Sequence, residues 1–230
     1  RFARDDLWLD LSGARDAYFE LLGNAAARRD TEVLAYCLIS NHVHLALVQG
    51  EAPLERFMKS VHTGFAAWAR ASWRGSKALG PVFAERPRIV LVDREEYLLE
   101  LVRYVHNNPV RARLTRAARS SAWSSHQAYI GQMPAPEWLR MAHVLARFGR
   151  DAKRAAAKFD AFVDEGRGQA RRPELSGAAD AGEAAAVRAA LGDGYRVSDG
   201  ILGDQVFVAK VTSAAGSVRA ALSSRSAERR

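Results

Sequence analysis

The stretch EVLAYCLISNHVHLALV, residues 32–48, decides the fold of this chain. Two apolar runs of strand length, Glu32–Ile39 and Val43–Val48, stand on either side of Ser40-Asn41, a dipeptide typical of turns. The pattern predicts two antiparallel strands joined by a tight hairpin.

His42 and His44 stand two residues apart at the start of the second run. Because alternate residues of a strand point to the same face, both imidazoles are predicted to emerge side by side. Two neighbouring imidazoles have the spacing of metal ligands. Taken alone, the pair is about equally compatible with ordinary sheet histidines.

Apolar residues at helical spacing predict a helix on each side of the hairpin, over Asp16–Arg29 and from Pro53 to about Ala71. Arg88–Val92 is predicted to be a third strand. Asp93 has the chemistry of an N-cap for the helix that follows, and Pro109 is predicted to end or kink that helix. These elements predict the α+β class.

Past Gly131 the pattern predicts a mostly helical C-terminal extension, beginning after a linker at Pro134–Pro136. The stretch at 166–180 is charged and rich in small residues. Helices are predicted at residues 137–148, 153–164 and 183–191.

The composition favours a basic, intracellular protein. Among 230 residues there are 34 Lys and Arg against 26 Asp and Glu, a formal charge of +8. Such an excess is typical of nucleic-acid binders, although a merely basic surface is compatible with it. The single cysteine, Cys37, excludes an internal disulfide and indicates a reducing compartment. The sequence contains no run of 18 apolar residues, so no membrane span is predicted.

Tyr104 and Asn108 form a second feature, four residues apart on the helix that follows Asp93. Residues at this spacing share one helix face. Tyrosine offers a hydroxyl nucleophile, and asparagine offers an oxygen ligand for a hard cation. Alone, the pair is equally explained by a core tyrosine and a helix C-cap before Pro109.

Taken together and in order, these segments resemble the HUH single-tyrosine transposases. SNHVHL (residues 40–45) resembles the signature that names the family. YVHNNPVRA (residues 104–112) resembles its tyrosine helix, especially in the REP-associated tyrosine transposase branch, and WSSHQAY (residues 123–129) is similar to the close of that domain. The resemblance covers roughly Asp5–Gly131, and a weaker one lies around Gly200–Val211.

The resemblance implies a fold, a reaction and a site. The fold would be a ferredoxin-like antiparallel sheet with helices on one face, in a catalytic domain at 1–131 followed by the extension at 132–230. His42, His44 and Asn108 would bind Mg²⁺ or Mn²⁺, and Tyr104 would be the nucleophile. The protein would act as a homodimer on single-stranded, hairpin-forming DNA, without a nucleotide cofactor, in the cytoplasm at the nucleoid.

Several basic and aromatic side chains are candidates for DNA contact. Trp73 stands among basic residues and is the better candidate for base stacking, whereas Trp68 is predicted to pack in the core. Fewer than half of the basic candidates are expected to touch phosphate, the others being solvated. The DNA-binding residues predicted are Arg70, Trp73, Arg74, Arg86, Arg88 and Arg111. His106 is interpreted as structural or DNA-contacting, and no general base is evident.

The start of the chain departs from the family pattern. Members usually have a strand ahead of the first helix, and Arg1–Leu11 shows no strong strand signal. The chain begins at Arg1 rather than Met, so upstream residues are expected to be missing. A sheet without that strand would leave an edge exposed, which puts activity in doubt although the motifs are intact.

Three functions therefore follow from the residues. The first is a transposase-type nuclease and strand transferase that uses Tyr104. The second is a non-catalytic or decayed relative that binds hairpin DNA. The third is an initiator or mobilisation nuclease, which the form of the tyrosine helix disfavours.

Overall fold

The computed structural model describes residues 2, 7–29, 31–72, 81–83, 89–169, 175, 195–198, 201–204 and 213. Its helices there are α1 (Ala14–Arg29), α2 (Leu54–Ser72), α3 (Arg94–Arg111), α4 (His126–Tyr129), α5 (Ala142–Leu145) and α6 (Ala152–Glu165). The strands are β1 (Glu32–Ile39), β2 (His42–Val48), β3 (Leu91–Val92), β4 (Tyr195–Ser198) and β5 (Ile201–Asp204). The α+β class and the mostly helical region after Gly131 are confirmed.

Two compact units divide the chain. One comprises Arg1–Pro87 and Glu100–Ala170, and the other comprises Arg88–Leu99 and Arg171–Arg230. This division follows compactness and does not test the predicted boundary of the catalytic domain at residue 131, which stays a prediction.

β1 and β2 form the predicted hairpin, paired antiparallel with Ile39 opposite His42 and Cys37 opposite His44. β1 is buried along nearly its whole length. Its second edge is covered by backbone, since the Leu38 amide donates to the Trp123 carbonyl at 2.8 Å and the Ser125 amide to the Tyr36 carbonyl at 3.0 Å. Burial on all sides explains why β1 is a continuous apolar run rather than an alternating one.

The helices α1 and α2 pack against each other within the same unit. α2 buries Phe57, Val61 and Phe65, a spacing that places them on one helical face. Their approach is close: a Cβ added to Gly64 would lie 2.5 Å from Cδ2 of Leu21, on α1. Glycine at this point therefore allows the two helices to meet.

The first described residue, Phe2, is buried and makes strand-like contacts. Its amide donates to the Asn41 carbonyl at 3.0 Å, and it forms an isolated antiparallel bridge with Phe83. The two rings stack with centroids 5.0 Å apart. A bridging residue thus stands where the sequence shows no strong strand signal, and Trp8–Asp10 forms a short 3-10 turn.

α3 does not end at Pro109 but continues to Arg111. Proline lacks the amide that would donate to the Val105 carbonyl, but only two helical residues follow it, so little of the helix lies beyond the missing bond. Arg113 then adopts a positive φ of 58°, a conformation that commonly terminates helices.

The second unit contains a sheet in the order β3–β5–β4, with β3 parallel to β5 and β4 antiparallel to it. The predicted strand at Arg88–Val92 is observed as the two residues of β3. The C-terminal region thus adds strands to the helices that were predicted for it. The helix predicted at 183–191 lies outside the described residues. No helix in the described part of the chain combines the length and the apolar character that crossing a membrane would need.

Candidate functional site

The histidine pair of β2 lies as the strand alternation predicts. The rings of His42 and His44 stand side by side, with centroids 4.7 Å apart and planes at 75°. The hairpin produces this arrangement locally, because the short turn after Ile39 brings His42 into register at the first pair of the ladder.

Hydrogen bonding fixes which ring nitrogen of His42 carries the proton. Its Nδ1 lies 2.6 Å from Oδ1 of Asn41. A carbonyl oxygen only accepts, so Nδ1 carries the proton and the lone pair of the neutral ring is on Nε2. Metal-binding histidines usually donate their other ring N–H to an oxygen in this way, which fixes the orientation of the ring.

His44 carries the most informative atom of the site. Although the residue is partly exposed, its Nε2 is buried and has no hydrogen-bond partner among the described residues. Burial lowers the pKa of His44 well below its ordinary value, and the neighbouring His42 and Arg111 lower it further. The ring is therefore neutral at pH 7, the form in which an imidazole binds a metal.

Tyr104 of α3 meets this pair. Its ring lies edge-on to the ring of His44, with centroids 5.7 Å apart and planes at 86°. The tertiary fold thus brings together His42, His44 and Tyr104, which the sequence keeps on two separate elements. Tyr104 is only 6% exposed.

Arg111 covers the tyrosine ring. Its guanidinium carbon lies 4.2 Å from the ring centroid, and the same group donates a hydrogen bond to the Tyr104 carbonyl. Seven residues separate the two on α3, two turns on one helix face. That spacing could have indicated the contact from the sequence, and the DNA-binding role of Arg111 stays a prediction.

The Asn108 side chain is hydrogen-bonded to the Tyr104 carbonyl as well. It is 6% exposed, and its Nδ2 donates to the Tyr104 carbonyl at 2.9 Å. The amide oxygen, which is the atom a hard cation prefers, is on the other arm of the group. Within the described ranges no three His, Cys, Asp or Glu side chains are grouped as metal ligands. A cation here would therefore need the Asn108 oxygen beside the two imidazoles.

Of the three predicted ligands, the structure brings the two imidazoles together, whereas the Asn108 side chain makes its hydrogen bond to the Tyr104 carbonyl. The buried, unpartnered Nε2 of His44 is a polar atom that lacks a ligand. Two imidazoles with one amide oxygen suit Mn²⁺ better than Mg²⁺, which prefers oxygen ligands throughout.

The other predicted DNA-binding residues are only partly described. Arg70 is exposed in the last turn of α2, as a phosphate-contacting side chain requires. Trp73, Arg74, Arg86 and Arg88 lie outside the described residues.

His106, which was predicted to be either structural or DNA-contacting, has the structural role. It is fully buried, it stands between Tyr104 and Asn108 in the sequence, and it belongs to a polar cluster with Ser125, His126 and Asp160. Buried as it is, His106 cannot touch DNA. Asp160 carried no sequence signal, because nothing local connects it with His126, the histidine it contacts, which stands 34 positions earlier.

Comparison with protein-family models, with curated proteins and with solved structures finds no match to this chain. The resemblance to the HUH transposases therefore stays a prediction from the motifs.

Proposed function

We propose that this protein is a metal-dependent DNA transposase or nuclease that cleaves and rejoins single-stranded DNA through a covalent phosphotyrosine. Tyr104 is the nucleophile, and His42, His44 and Asn108 are the ligands of Mg²⁺ or Mn²⁺. The observation that carries the proposal is the 5.7 Å approach of the Tyr104 ring to His44, whose buried Nε2 has no partner among the described residues.

The chemistry needs only an exchange of phosphate esters. The phenol oxygen of Tyr104 forms the new bond to phosphorus, the sugar oxygen leaves with its electron pair, and the phenol proton passes to solvent. The number of phosphate ester bonds is unchanged, so the reverse reaction rejoins the strand without ATP. Ordinary tyrosine, with a pKa of about 10, is about one part in a thousand phenolate at pH 7. A bound divalent cation would supply the neutralisation of phosphate charge that offsets this.

The side chains around Tyr104 support this role by holding its ring. Arg111 lies over one face of the ring and His44 meets it edge-on. A nucleophile fixed in one orientation reacts with less loss of entropy. The +8 formal charge supports a polyanionic substrate, for which we propose hairpin DNA, bound by a homodimer.

The direct test is formation of a DNA–protein adduct. Labelled single-stranded hairpin DNA is incubated with the protein and Mn²⁺, and the products are separated on a denaturing gel. We expect an adduct with the wild type and none with Tyr104→Phe, which keeps hairpin binding. Tyr18→Phe, also a buried tyrosine, is the matched control and should form the adduct. Equal adduct from Tyr104→Phe would refute the assignment of the nucleophile.

A second candidate is a non-catalytic module that binds hairpin DNA. The observation that favours it is the 6% exposure of Tyr104 beneath the Arg111 guanidinium, because a nucleophile must reach its phosphate. The same experiment separates the two: this candidate predicts hairpin binding with no adduct under Mn²⁺ or Mg²⁺.

A further inference from the structure

A chain of buried polar groups runs behind the tyrosine helix. Ser125 Oγ lies 2.7 Å from His106 Nε2, and His106 Nδ1 lies 3.3 Å from His126 Nδ1. His126 Nε2 lies 3.0 Å from Asp160 Oδ1 on α6. The second carboxylate oxygen of Asp160 lies 3.2 Å from the Arg119 guanidinium. Both histidines and Ser125 are fully buried.

One arrangement of protons satisfies all of these contacts. The Asp160 carboxylate only accepts, so His126 Nε2 donates to it and His126 Nδ1 becomes an acceptor. His106 then donates from Nδ1 to His126 Nδ1, which leaves His106 Nε2 to accept from the Ser125 hydroxyl at 2.7 Å, a shorter contact than the 3.3 Å from that hydroxyl to the Tyr36 carbonyl. This arrangement places one proton on each ring, which is the neutral form of imidazole. The carboxylate of Asp160 therefore decides which atom donates in every hydrogen bond of this series of polar groups.

Besides Asp160 on α6, this series of polar groups is attached to β1 and to α3, the two elements next to the candidate site. Ser125 Oγ accepts from the Tyr36 amide at 3.0 Å. Tyr36 is on β1, whose next residue pairs with His44. His106 lies on α3 between Tyr104 and Asn108. The hydrogen-bonded groups thus connect β1, which pairs with the strand of the two histidines, to α3, which carries Tyr104.

α6 also holds α3 directly. The Asn107 side chain donates from Nδ2 to the Val163 carbonyl at 2.7 Å, and both groups are buried. Phe159 of α6 contacts the rings of His106 and His126 with centroids 5.6 Å away in each case. The position of α3 therefore depends on a helix that lies outside the domain predicted at 1–131.

We infer that Asp160 is a positioning residue: by ordering the Ser125–His106–His126 chain, it sets the spacing between Tyr104 and the histidine pair. The inference rests on the proposed function for its catalytic consequence, but the spacing itself is measurable without activity. A buried network that loses one member leaves unsatisfied groups behind. Here those groups would lie directly behind the tyrosine helix, which would shift to accommodate them.

The test compares Asp160→Ala with Asp160→Asn. Alanine removes the acceptor, whereas the oxygen of asparagine can still accept from His126 Nε2 and should rescue the order of the chain. Asp164→Asn, one turn further along α6, is the matched control, because Asp164 forms its ion pair with Arg167 instead. Full-length protein labelled at histidine and tyrosine is used throughout.

Two measurements are made on each variant. The first is NMR of the histidine tautomers together with the nuclear Overhauser effect between the His44 and Tyr104 rings. The second is the rate of adduct formation with hairpin DNA and Mn²⁺. For Asp160→Ala we expect altered His126 and His106 tautomers, a weakened ring-to-ring effect and adduct formation about 10- to 100-fold slower, as displacements of about 1 Å produce. Formate, a small carboxylate, should restore part of the rate.

The outcomes are distinguishable. The inference is overturned if Asp160→Ala and Asp164→Asn show the same nuclear Overhauser effect between the His44 and Tyr104 rings and the same rate of adduct formation. A wild type that forms no adduct refutes the proposed function, while the NMR comparison still decides the spacing. If Asp160→Ala does not fold, Asp160→Asn carries the test: unchanged tautomers with a lost ring-to-ring effect would overturn the inference.

Discussion

Replacing Arg111 by methionine tests how Tyr104 is held. Methionine keeps the length of the side chain but removes the guanidinium that lies 4.2 Å from the Tyr104 ring centroid. The cation–π contact contributes about 0.5–2 kcal/mol, depending on how far it is desolvated. The hydrogen bond from this charged donor to the Tyr104 carbonyl contributes about 1.5–3 kcal/mol.

The two contributions do not add fully. The Tyr104 carbonyl also accepts from Asn108 Nδ2 at 2.9 Å, so losing Arg111 does not leave it unsatisfied. We therefore expect Arg111→Met to lower the free energy of unfolding by about 1–3 kcal/mol, less than the sum of about 2–5 kcal/mol. Urea denaturation measures this. Arg116→Met, which removes the same charge from an exposed position, is the control and should change little.

Hairpin binding at several salt concentrations then separates two roles for Arg111. Each phosphate contact contributes about 0.7–0.9 to the slope of log affinity against log salt. A guanidinium engaged with Tyr104 makes no such contact, so Arg111→Met should keep the wild-type slope. If Arg111→Met is as stable as Arg116→Met, or if its slope falls by one contact, the guanidinium faces phosphate and the reasoning is refuted.

Three further predictions concern the metal, pH and the core. His44→Ala should weaken Mn²⁺ binding, followed by electron paramagnetic resonance, by at least about 10-fold, whereas the exposed His143→Ala should not; equal affinities would exclude His44 as a ligand. Burial lowers the pKa of His62 to about 4. Its neutral ring therefore contributes stability above the ordinary pKa of 6.5, and this stability is lost as the pH falls toward 4. His62→Phe should flatten that decline in urea titrations at several pH values, and an unchanged dependence on pH would contradict the prediction. Tyr129→Phe removes the 2.7 Å hydrogen bond from the buried hydroxyl to the Leu34 carbonyl and should cost about 1–3 kcal/mol in thermal unfolding; a stability equal to that of Tyr18→Phe would argue against it.

The sequence by itself determined the local elements. β1 has the bounds that its apolar run predicts, and the helices α1 and α2 begin and end within two residues of prediction. The side-by-side rings of His42 and His44 also follow from the period of a strand. Such features depend on neighbours within a few residues, so a local pattern is sufficient to predict them.

Pro109 shows the limit of a local rule. The sequence predicts that this proline ends or kinks α3, and the structure excludes the first alternative because the helix continues to Arg111. The Tyr104 carbonyl one turn before it accepts from the side chains of Asn108 and Arg111. These side-chain bonds support the last turn of the helix, and a propensity for proline contains no information about them.

The tertiary structure alone decided which elements meet. Tyr104 lies edge-on to His44, and Asp160 accepts from His126, although long stretches of chain separate the members of each pair. It also decided that Tyr104 is nearly buried and that His106 faces the interior. Long-range packing sets these contacts, because each depends on how whole helices and strands bury their apolar faces together, and no short stretch of sequence records that outcome.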